Sequence, residues 1–333
     1  MSDRSNITDL PLASHLSAEP ISMTSVRCFI EAFELDSPTF VDENSRSDGD
    51  DFAIVPWSMA MVAAMPAYWK PGDEPLPKDL PTPYSWDCVD LPGNEMMTTR
   101  VELEFERPLR VGDWLQSEYR VSKITPKQTR VGVGNFIDFE VRLIDTLGAL
   151  VATERSSIYR YTPFDLTPHT KIEKKIASAG DDSYQGSSIG EHTFSLTLQR
   201  LIMCSAACRD FAPSHTDNEA ARNAGAPAAY ADMHFSFAMV EKLLLRWGRP
   251  GLRIHAIGPL NIQDFILSGM DATTSGAVLD VMDCADSSRS DVTISIAISQ
   301  PDGRVPLTGQ ARVCVPRDAL YEFTRAKGNE HDR

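Results

Sequence analysis

Apolar residues recur at helical spacing in two stretches of each half of the chain. The first half has them at residues 25–35 (SVRCFIEAFEL) and 57–69 (WSMAMVAAMPAYW), and the second half at residues 198–211 (LQRLIMCSAACRDF) and 235–247 (FSFAMVEKLLLRW). This spacing predicts a shorter and a longer apolar helix in each half. Pro66 predicts that the longer helix of the first half is kinked or shortened.

The remainder of each half alternates apolar and polar residues, as half-buried antiparallel strands do. The stretches are RVELEFERPL, WLQSEYRVSKI, GVGNFIDFEVRLID and ALVATERSSIYRY in the first half, and LRIHAIGPLNI, GAVLDVMDCA, DVTISIAISQ and VPLTGQARVCV in the second. The segments DTLGAL and QPDGRV are typical of hairpin turns. An apolar helix followed by such strands predicts an α+β fold in which an antiparallel sheet wraps around the helix.

The two halves also resemble each other in sequence. AMVAAMPAYW matches AMVEKLLLRW, PLRVGDW matches PLNIQDF, and PTFVDEN matches PSHTDNE, in the same order along the chain. Three ordered matches predict a duplicated protein whose two sheets pair edge to edge. We place a first domain at 1–165, a polar linker at 166–190, a second domain at 191–320 and a polar tail at 321–333.

Composition limits the ligand classes and the cellular locations to be expected for the protein. The 333 residues carry a formal net charge of −15, which argues against nucleic-acid binding. The N-terminus lacks the apolar region of a signal peptide, and no run of about 18 apolar residues predicts a membrane span. The six cysteines show no CxxC spacing, so we expect neither a disulfide framework nor a zinc site. A reducing cytoplasm is the expected location.

One turn of the second half carries an acid and an imidazole close together. Asp210 and His215 lie on either side of Pro213 in RDFAPSHTDNEAA, ahead of a short helix that Asp217 is placed to cap. The first copy has Leu35 and Phe40 at the positions of this pair, but keeps Pro38 and Asp42. A purely structural alternative is that the His215 side chain forms a hydrogen bond with the backbone of the turn. Because a histidine needed only for folding should tend to persist in both copies, the comparison favours a chemical role in the second half.

The same stretch resembles the motif D-x-N-P-x-H-x-D-x-x-x-A-x-x-x-G of the MaoC-like (R)-specific enoyl-CoA hydratases. The residues in register are Asp210, Pro213, His215, Asp217, Ala221 and Gly225. The first half resembles the degenerate FAS1-like dehydratase domain that precedes such a domain, and the resemblance implies a double hot-dog fold. The motif's Asn is Ala212 here, and the family's His-Gly at the start of the central helix falls on Asp232 and Met233.

The resemblance implies reversible hydration of a trans-2-enoyl-CoA to a (R)-3-hydroxyacyl-CoA, without a metal or redox cofactor. It assigns His215 as the principal base, Asp210 as its partner and proton donor to the α-carbon, and the Met233 backbone N–H as the donor to the enolate oxygen. Gly225 is assigned to the substrate-binding wall. His234 is more typical of a core residue, and Asp232 of a helix cap. By analogy with the family we expect a homodimer of double hot-dog chains.

The sequence leaves alternatives for the acyl chain of the substrate and for the class of reaction. The first half, with its Met-rich helix 57–69 and small residues Ala60, Ala63 and Ala64, is expected to accommodate a bulky acyl tail, with a steroid side chain among the candidates. A hot-dog acyl-CoA thioesterase uses similar groups near a thioester. A non-catalytic partner subunit of a hydratase complex is the third hypothesis, and the intact Asp210/His215 pair argues against it.

Overall fold

The same order of strands and helices occurs twice along the chain. The computed structural model describes residues 11–36, 55–77, 89, 91–93, 95–129, 132–164, 186–248, 251–284 and 288–317. The first copy comprises β1 (Pro11–Leu16), α1 (Met23–Phe33), a 3-10 turn (Trp57–Met59), α2 (Ala60–Ala63), β2 (Glu95–Phe105), β3 (Leu115–Gln128), β4 (Gly132–Asp145) and β5 (Leu150–Pro163). The second comprises β6 (Ser188–Leu196), α3 (Leu198–Cys208), a 3-10 turn (Pro213–His215), α4 (Asn218–Asn223), α5 (Met233–Gly248), β7 (Arg253–Ile262), β8 (Met270–Asp283), β9 (Arg289–Ser299) and β10 (Leu307–Pro316).

These strands form one antiparallel sheet whose order is mirrored about its centre. The order is β1-β3-β4-β5-β2-β7-β10-β9-β8-β6, so each strand of one half has its counterpart at the mirrored place in the other. The halves meet where β2 pairs with β7, with Val101 opposite Leu260 and Leu103 opposite Ile257. The predicted α+β double hot-dog fold, with edge-to-edge pairing of two sheets, is confirmed.

The long helix α5 lies inside the second half of the sheet. Its residues from Met233 to Leu244 are all buried, and one apolar core joins this helix to both halves of the sheet. A helix that is covered on every side needs apolar residues around its whole circumference, which explains the run FSFAMVEKLLL. The helices α1 and α3 contact each other, and α1 also contacts α5.

The corresponding helix of the first half is much shorter. α2 ends at Ala63, three residues before Pro66, and its last turn closes with bonds from Ala64 and Met65 to preceding carbonyls. Proline lacks the N–H that a continuing helix needs, so the predicted shortening is confirmed. The chain then runs on through Tyr68 toward the second half.

Two ionisable side chains lie buried in the middle of α5, and each has a partner from the first half. The Glu241 carboxyl oxygens accept hydrogen bonds from the backbone N–H groups of Trp57 and Ser58 at 2.9 and 2.8 Å, and from the Ser58 hydroxyl. The Lys242 ammonium donates to the Phe33 carbonyl and to Glu34, both at 3.3 Å. Buried polar groups require such partners, so these contacts join the central helix to the other half.

The structure corrects the sequence interpretation at the two edges of the sheet. Strands β1 and β6 were not predicted, and β6 begins at Ser188, so residues 188–190 of the proposed linker belong to the second sheet. Residues 166–185 of that linker and the tail 321–333 lie outside the described residues, as do Pro38, Phe40 and Asp42. In the part of the chain described, no helix is both long and apolar enough to cross a membrane.

Candidate active site

His215 is held in one orientation by the backbone of a neighbouring segment. It ends the 3-10 turn that Pro213 begins, and its Nδ1 lies 2.8 Å from the carbonyl oxygen of Tyr230. A carbonyl can only accept, so Nδ1 carries the proton and donates it, which leaves Nε2 with its lone pair in the neutral ring. The Tyr230 ring also meets the imidazole edge-on at 5.0 Å. This tautomer suits His215 to act as a base through Nε2.

Asp210 faces that lone pair. The helix α3 ends at Arg209, whose left-handed φ of 56° turns the chain so that the Asp210 N–H bonds back to the Ser205 carbonyl. One carboxylate oxygen, Oδ1, accepts from the Ala212 N–H at 3.2 Å, and the other, Oδ2, lies 3.9 Å from His215 Nε2. The two predicted residues therefore come together, with side chains 11% and 12% exposed, so each still reaches solvent or a ligand.

The N-terminus of α5 carries a buried aspartate and histidine close together. Asp232 Oδ1 accepts from the Phe235 N–H at 2.8 Å, which confirms Asp232 as a helix cap, and its Oδ2 lies 3.8 Å from Nδ1 of the fully buried His234. Burial alone would raise the pKa of Asp232, but His234 and, more weakly, His215 lower it. Burial alone would lower the pKa of His234, but Asp232, then Asp210 and Glu154, raise it. His234 is thus a core residue whose surroundings favour the protonated ring.

Met233 is the first residue of α5 and is itself buried. The N–H of a first helical residue has no acceptor within its helix, and the positive end of the helix dipole lies at the same place. Met233 therefore has the backbone geometry that an oxyanion donor requires. Its role toward a substrate oxygen stays a prediction.

Asp217 and Gly225 delimit the short helix α4. The Asp217 carboxylate accepts from the Ala220 N–H at 2.7 Å, so the predicted cap is confirmed. Gly225 follows the end of the helix with φ of +91°, a conformation that glycine adopts without steric cost. This turn accounts for the glycine, and the substrate-binding role assigned to Gly225 stays a prediction.

Replacing Asp217 with alanine should lower the free energy of unfolding by about 1 kcal/mol, the usual value of a helix cap, and leave kcat close to that of the wild type. Urea unfolding and steady-state kinetics on the same preparation measure the two effects. Asp217→Asn, which keeps a side-chain acceptor, should restore most of the stability. A large fall in kcat at unchanged stability would show instead that Asp217 takes part in the chemistry.

The first half contributes an aromatic residue beside the pair, which the sequence interpretation missed. The Tyr68 hydroxyl donates to the Arg209 carbonyl at 2.9 Å, and the Arg209 guanidinium donates to the Pro66 carbonyl at 2.8 Å. The Tyr68 and Phe211 rings also lie 5.8 Å apart. Burial, followed by the charge of Asp210, raises the pKa of Tyr68. The pair therefore lies at the junction of the two halves.

A buried carboxyl of the first half also belongs to this region. Glu154 on β5 points to the same side of the sheet as Ala152 and Ile158, and the register places it beside Val141 and Leu103. Burial raises the pKa of Glu154 to about 7, against the opposing effects of His234 and Ser156. The clue in the sequence was an acid on the apolar face of a predicted strand, in ALVATERSSIYRY.

One group of potential metal ligands lies near the pair. Ligand atoms of Cys208, Asp232 and His234 lie within 4.8 Å of one another, all buried. A metal ion needs a thiolate and an imidazole lone pair. Burial raises the pKa of the Cys208 thiol well above its usual range, and the raised pKa of His234 favours the protonated ring. These three residues are therefore poor ligands.

Comparison with known proteins supports the same fold. The family model of the FAS1-like dehydratase domain region matches residues 13–154, which covers β1 through most of the first sheet. A MaoC-like dehydratase of known structure superposes with a TM-score of 0.65 over 91% of this chain and 97% of the other, at 16% identity. At this identity the superposition shows that the two chains share a fold.

Other comparisons agree with this fold. A MaoC-like dehydratase from Phytophthora capsici gives a TM-score of 0.62 over 94% of this chain and 98% of that one, at 15% identity. In sequence, the chain is 27% identical over 154 residues to a Thermomonospora curvata protein named "Probable enoyl-CoA hydratase alpha subunit". That match covers 44% of this chain and 46% of the relative, so the chain spans about half the length of that relative.

Proposed function

We propose that this chain is a MaoC-like hydro-lyase that adds water across the double bond of a trans-2-enoyl-CoA to give a (R)-3-hydroxyacyl-CoA, and catalyses the reverse dehydration. The observation that carries the proposal is the pair formed by His215 Nε2 and Asp210 Oδ2, 3.9 Å apart, with the imidazole tautomer fixed by the Tyr230 carbonyl. Both atoms accept hydrogen bonds when His215 is neutral and Asp210 ionised.

The separation of these two acceptors suits a single water molecule. A water oxygen about 2.8 Å from each would see them at an angle of about 90°, close to the angle between its own two O–H bonds. Such a water donates both hydrogens to the pair and directs its lone pairs outward, toward a substrate. The geometry thus supports Asp210 and His215 as joint holders of the nucleophile.

In the proposed hydration the water oxygen bonds to C3 of the enoyl thioester while its proton passes to His215 Nε2. The π electrons move to the thioester oxygen, which becomes an enolate. The proton then reaches C2 through Asp210, so that H and OH from one water are both added. His215 and Asp210 end the cycle in the protonation states in which they began.

The enolate oxygen requires hydrogen-bond donors in place before the reaction. The backbone N–H of Met233, at the N-terminus of α5, is the proposed donor, and its preceding residue Asp232 is already engaged in capping Phe235. Because the donor is a backbone group, the departure from the family's glycine at position 233 leaves the hydrogen bond available.

The proposed substrate carries a bulky acyl chain, with a steroid side chain among the candidates. Support comes from the first half, where α2 stops at Ala63 and the following segment through Pro66 and Tyr68 borders the catalytic pair. The family resemblance supports the CoA thioester itself.

A panel of enoyl-CoA esters from crotonyl-CoA to branched, aromatic and polycyclic chains tests the proposal. Without added metal or redox cofactor, loss of the conjugated-thioester absorbance should exceed release of free thiol, and chiral analysis should give the R product. Thiol release without formation of a hydroxyacyl product would show a thioesterase. Turnover of no ester in the panel would favour a non-catalytic subunit.

The proposed assembly is a homodimer of double hot-dog chains. Light scattering should give the mass of two chains, and a single-chain mass would contradict the proposed homodimer.

A further inference from the structure

Four potential metal ligands meet on the outer face of the second sheet, which is the face directed away from α5. Cys314 on β10 lies directly opposite Asp291 on β9, and His255 lies on β7, the other neighbour of β10. Cys284 follows the last residue of β8. His255, Asp291 and Cys314 alternate along their strands with Ile254, Val292 and Val313 of the apolar core, so they lie on the other face of the sheet, where Cys314 is itself buried.

Two distances within this cluster match the edges of a tetrahedral site, and Cys284 joins the other three residues through its contact with Cys314. Cys284 Sγ and Cys314 Sγ are 3.8 Å apart, and His255 Nε2 and Asp291 Oδ1 are 3.2 Å apart. Zn–S bonds of about 2.3 Å and Zn–N or Zn–O bonds of about 2.0–2.1 Å give tetrahedral edges of about 3.8 Å between two sulfurs and about 3.3 Å between nitrogen and oxygen. Ligand atoms of His255, Asp291 and Cys314 also lie within 4.8 Å of one another.

A cation neighbouring the cluster supports thiolate ligands. Arg289 Nε donates to Cys314 Sγ at 3.0 Å, and Arg289 Nη2 is held by the carbonyls of Gly251 and Cys314. Hydrogen bonds of this kind fix ligand orientation around metal sites. Two thiolates, one carboxylate and a divalent ion sum to a charge of −1, which the guanidinium balances.

We propose that His255, Cys284, Asp291 and Cys314 bind a thiophilic divalent cation of the zinc class. Four protein ligands fill a tetrahedral shell, so the role is structural. The ion would tie β7, β9 and β10 to the end of β8, on the opposite face of the sheet from the central helix. The side chains of His255 and Asp291 are 45% and 44% exposed, which gives an ion access from solvent.

The cluster differs from a pre-formed disulfide, because a sulfur–sulfur bond is only about 2.05 Å long.

Cobalt(II) titration of the full chain, treated with chelator and kept reduced with a phosphine under anaerobic conditions, tests the site. We expect one equivalent to produce the visible bands of tetrahedral cobalt and a thiolate-to-cobalt charge-transfer band, both displaced by zinc. Cys284→Ser and Cys314→Ser should each remove the charge-transfer intensity that the replaced sulfur contributes. His255→Ala should weaken binding by at least the roughly 10- to 100-fold that loss of an outer-shell partner costs, because it removes a direct ligand. The matched control is Cys28→Ser, since Cys28 is an exposed thiol on α1.

Thermal unfolding separates lost ligation from lost folding. Zinc should raise the Tm of the wild type and of Cys28→Ser but not of Cys284→Ser, whose far-UV circular dichroism should match that of the wild type. The proposal is overturned if excess cobalt gives no charge-transfer band in the wild type. A band that survives both Cys284→Ser and Cys314→Ser, or rapid Cys284–Cys314 disulfide formation in air at an equal rate with and without zinc, would overturn it too.

Discussion

Replacing His215 with alanine is expected to lower kcat for enoyl-CoA hydration by roughly 10²- to 10⁴-fold, the range of a general base. The imidazole Nε2 is the atom that takes the proton from water in the proposed reaction, and its tautomer is fixed by the 2.8 Å contact of Nδ1 with the Tyr230 carbonyl. Steady-state kinetics on the best substrate of the enoyl-CoA panel give the measurement.

The fold should survive this change. The only hydrogen bond shown for the His215 side chain, among the residues described, is to one carbonyl, so circular dichroism and urea unfolding should differ little from the wild type. Asp217→Ala, two residues further along the chain, serves as the matched control because it alters a cap without touching the pair. Wild-type turnover in His215→Ala would remove this residue from the mechanism.

Asp210→Asn tests the second member of the pair with almost no change of shape. The asparagine oxygen can still accept from the Ala212 N–H, but its NH₂ group, at the position of Oδ2 3.9 Å from His215 Nε2, cannot accept from the proposed bridging water. The water loses one of its two acceptors and C2 loses its proton donor, so we expect a loss of kcat as large as in His215→Ala. The double variant should lose little more than either single variant, because the two residues hold one water.

Glu241→Ala should destabilise the protein by roughly 3 kcal/mol or more at pH 6. The substitution leaves the N–H groups of Trp57 and Ser58 and the Ser58 hydroxyl without their acceptor, and a buried donor without a partner costs about 1–3 kcal/mol. Urea unfolding measures the effect. Ser58→Ala removes one donor only and should cost less. An unfolding midpoint equal to that of the wild type would contradict this account of the contact between the halves.

The same residue makes stability depend on pH. Burial raises the pKa of Glu241 to about 7 from an ordinary value of 4.5, so between these values the folded state holds a proton that the unfolded state releases. The contribution of Glu241 is therefore full below about pH 4.5 and is lost as the pH rises to about 7, by about 3 kcal/mol in all. Glutamine does not titrate, so in Glu241→Gln the free energy of unfolding should lack this fall between pH 4.5 and 7. Urea unfolding at several pH values across that range measures the difference.

The sequence predicted those parts of the fold in which apolar residues recur at regular spacing or in which the two halves match. Helices around 198–211 and 235–247 and the central strands follow from periodicity, and the duplication follows from three matched segments. The edge strands β1 and β6 were missed because PLASHL and SIGEHTFSL are short or polar and lack a strong alternation of apolar residues.

The site was predictable only where its residues are neighbours in the chain. Asp210 and His215 share one turn, so a motif could show them. The Tyr230 carbonyl that sets the tautomer and the Tyr68 hydroxyl at Arg209 come from other segments of the chain. Their contacts with the turn could therefore not be predicted from the spacing of residues in the sequence. The cluster of His255, Cys284, Asp291 and Cys314 was missed for the same reason, since its residues lie on or beside four different strands.

The mirrored sheet has a consequence for how far the two halves can differ from each other. Because both halves belong to one chain, each second half is supplied with one first half, and the covalent link holds the two at an effective concentration on the order of millimolar. Neither half needs to pair with a copy of itself. The first half can therefore carry Leu35 and Phe40 where the second has Asp210 and His215, and a central helix as short as α2, while the junction at β2 and β7 stays closed.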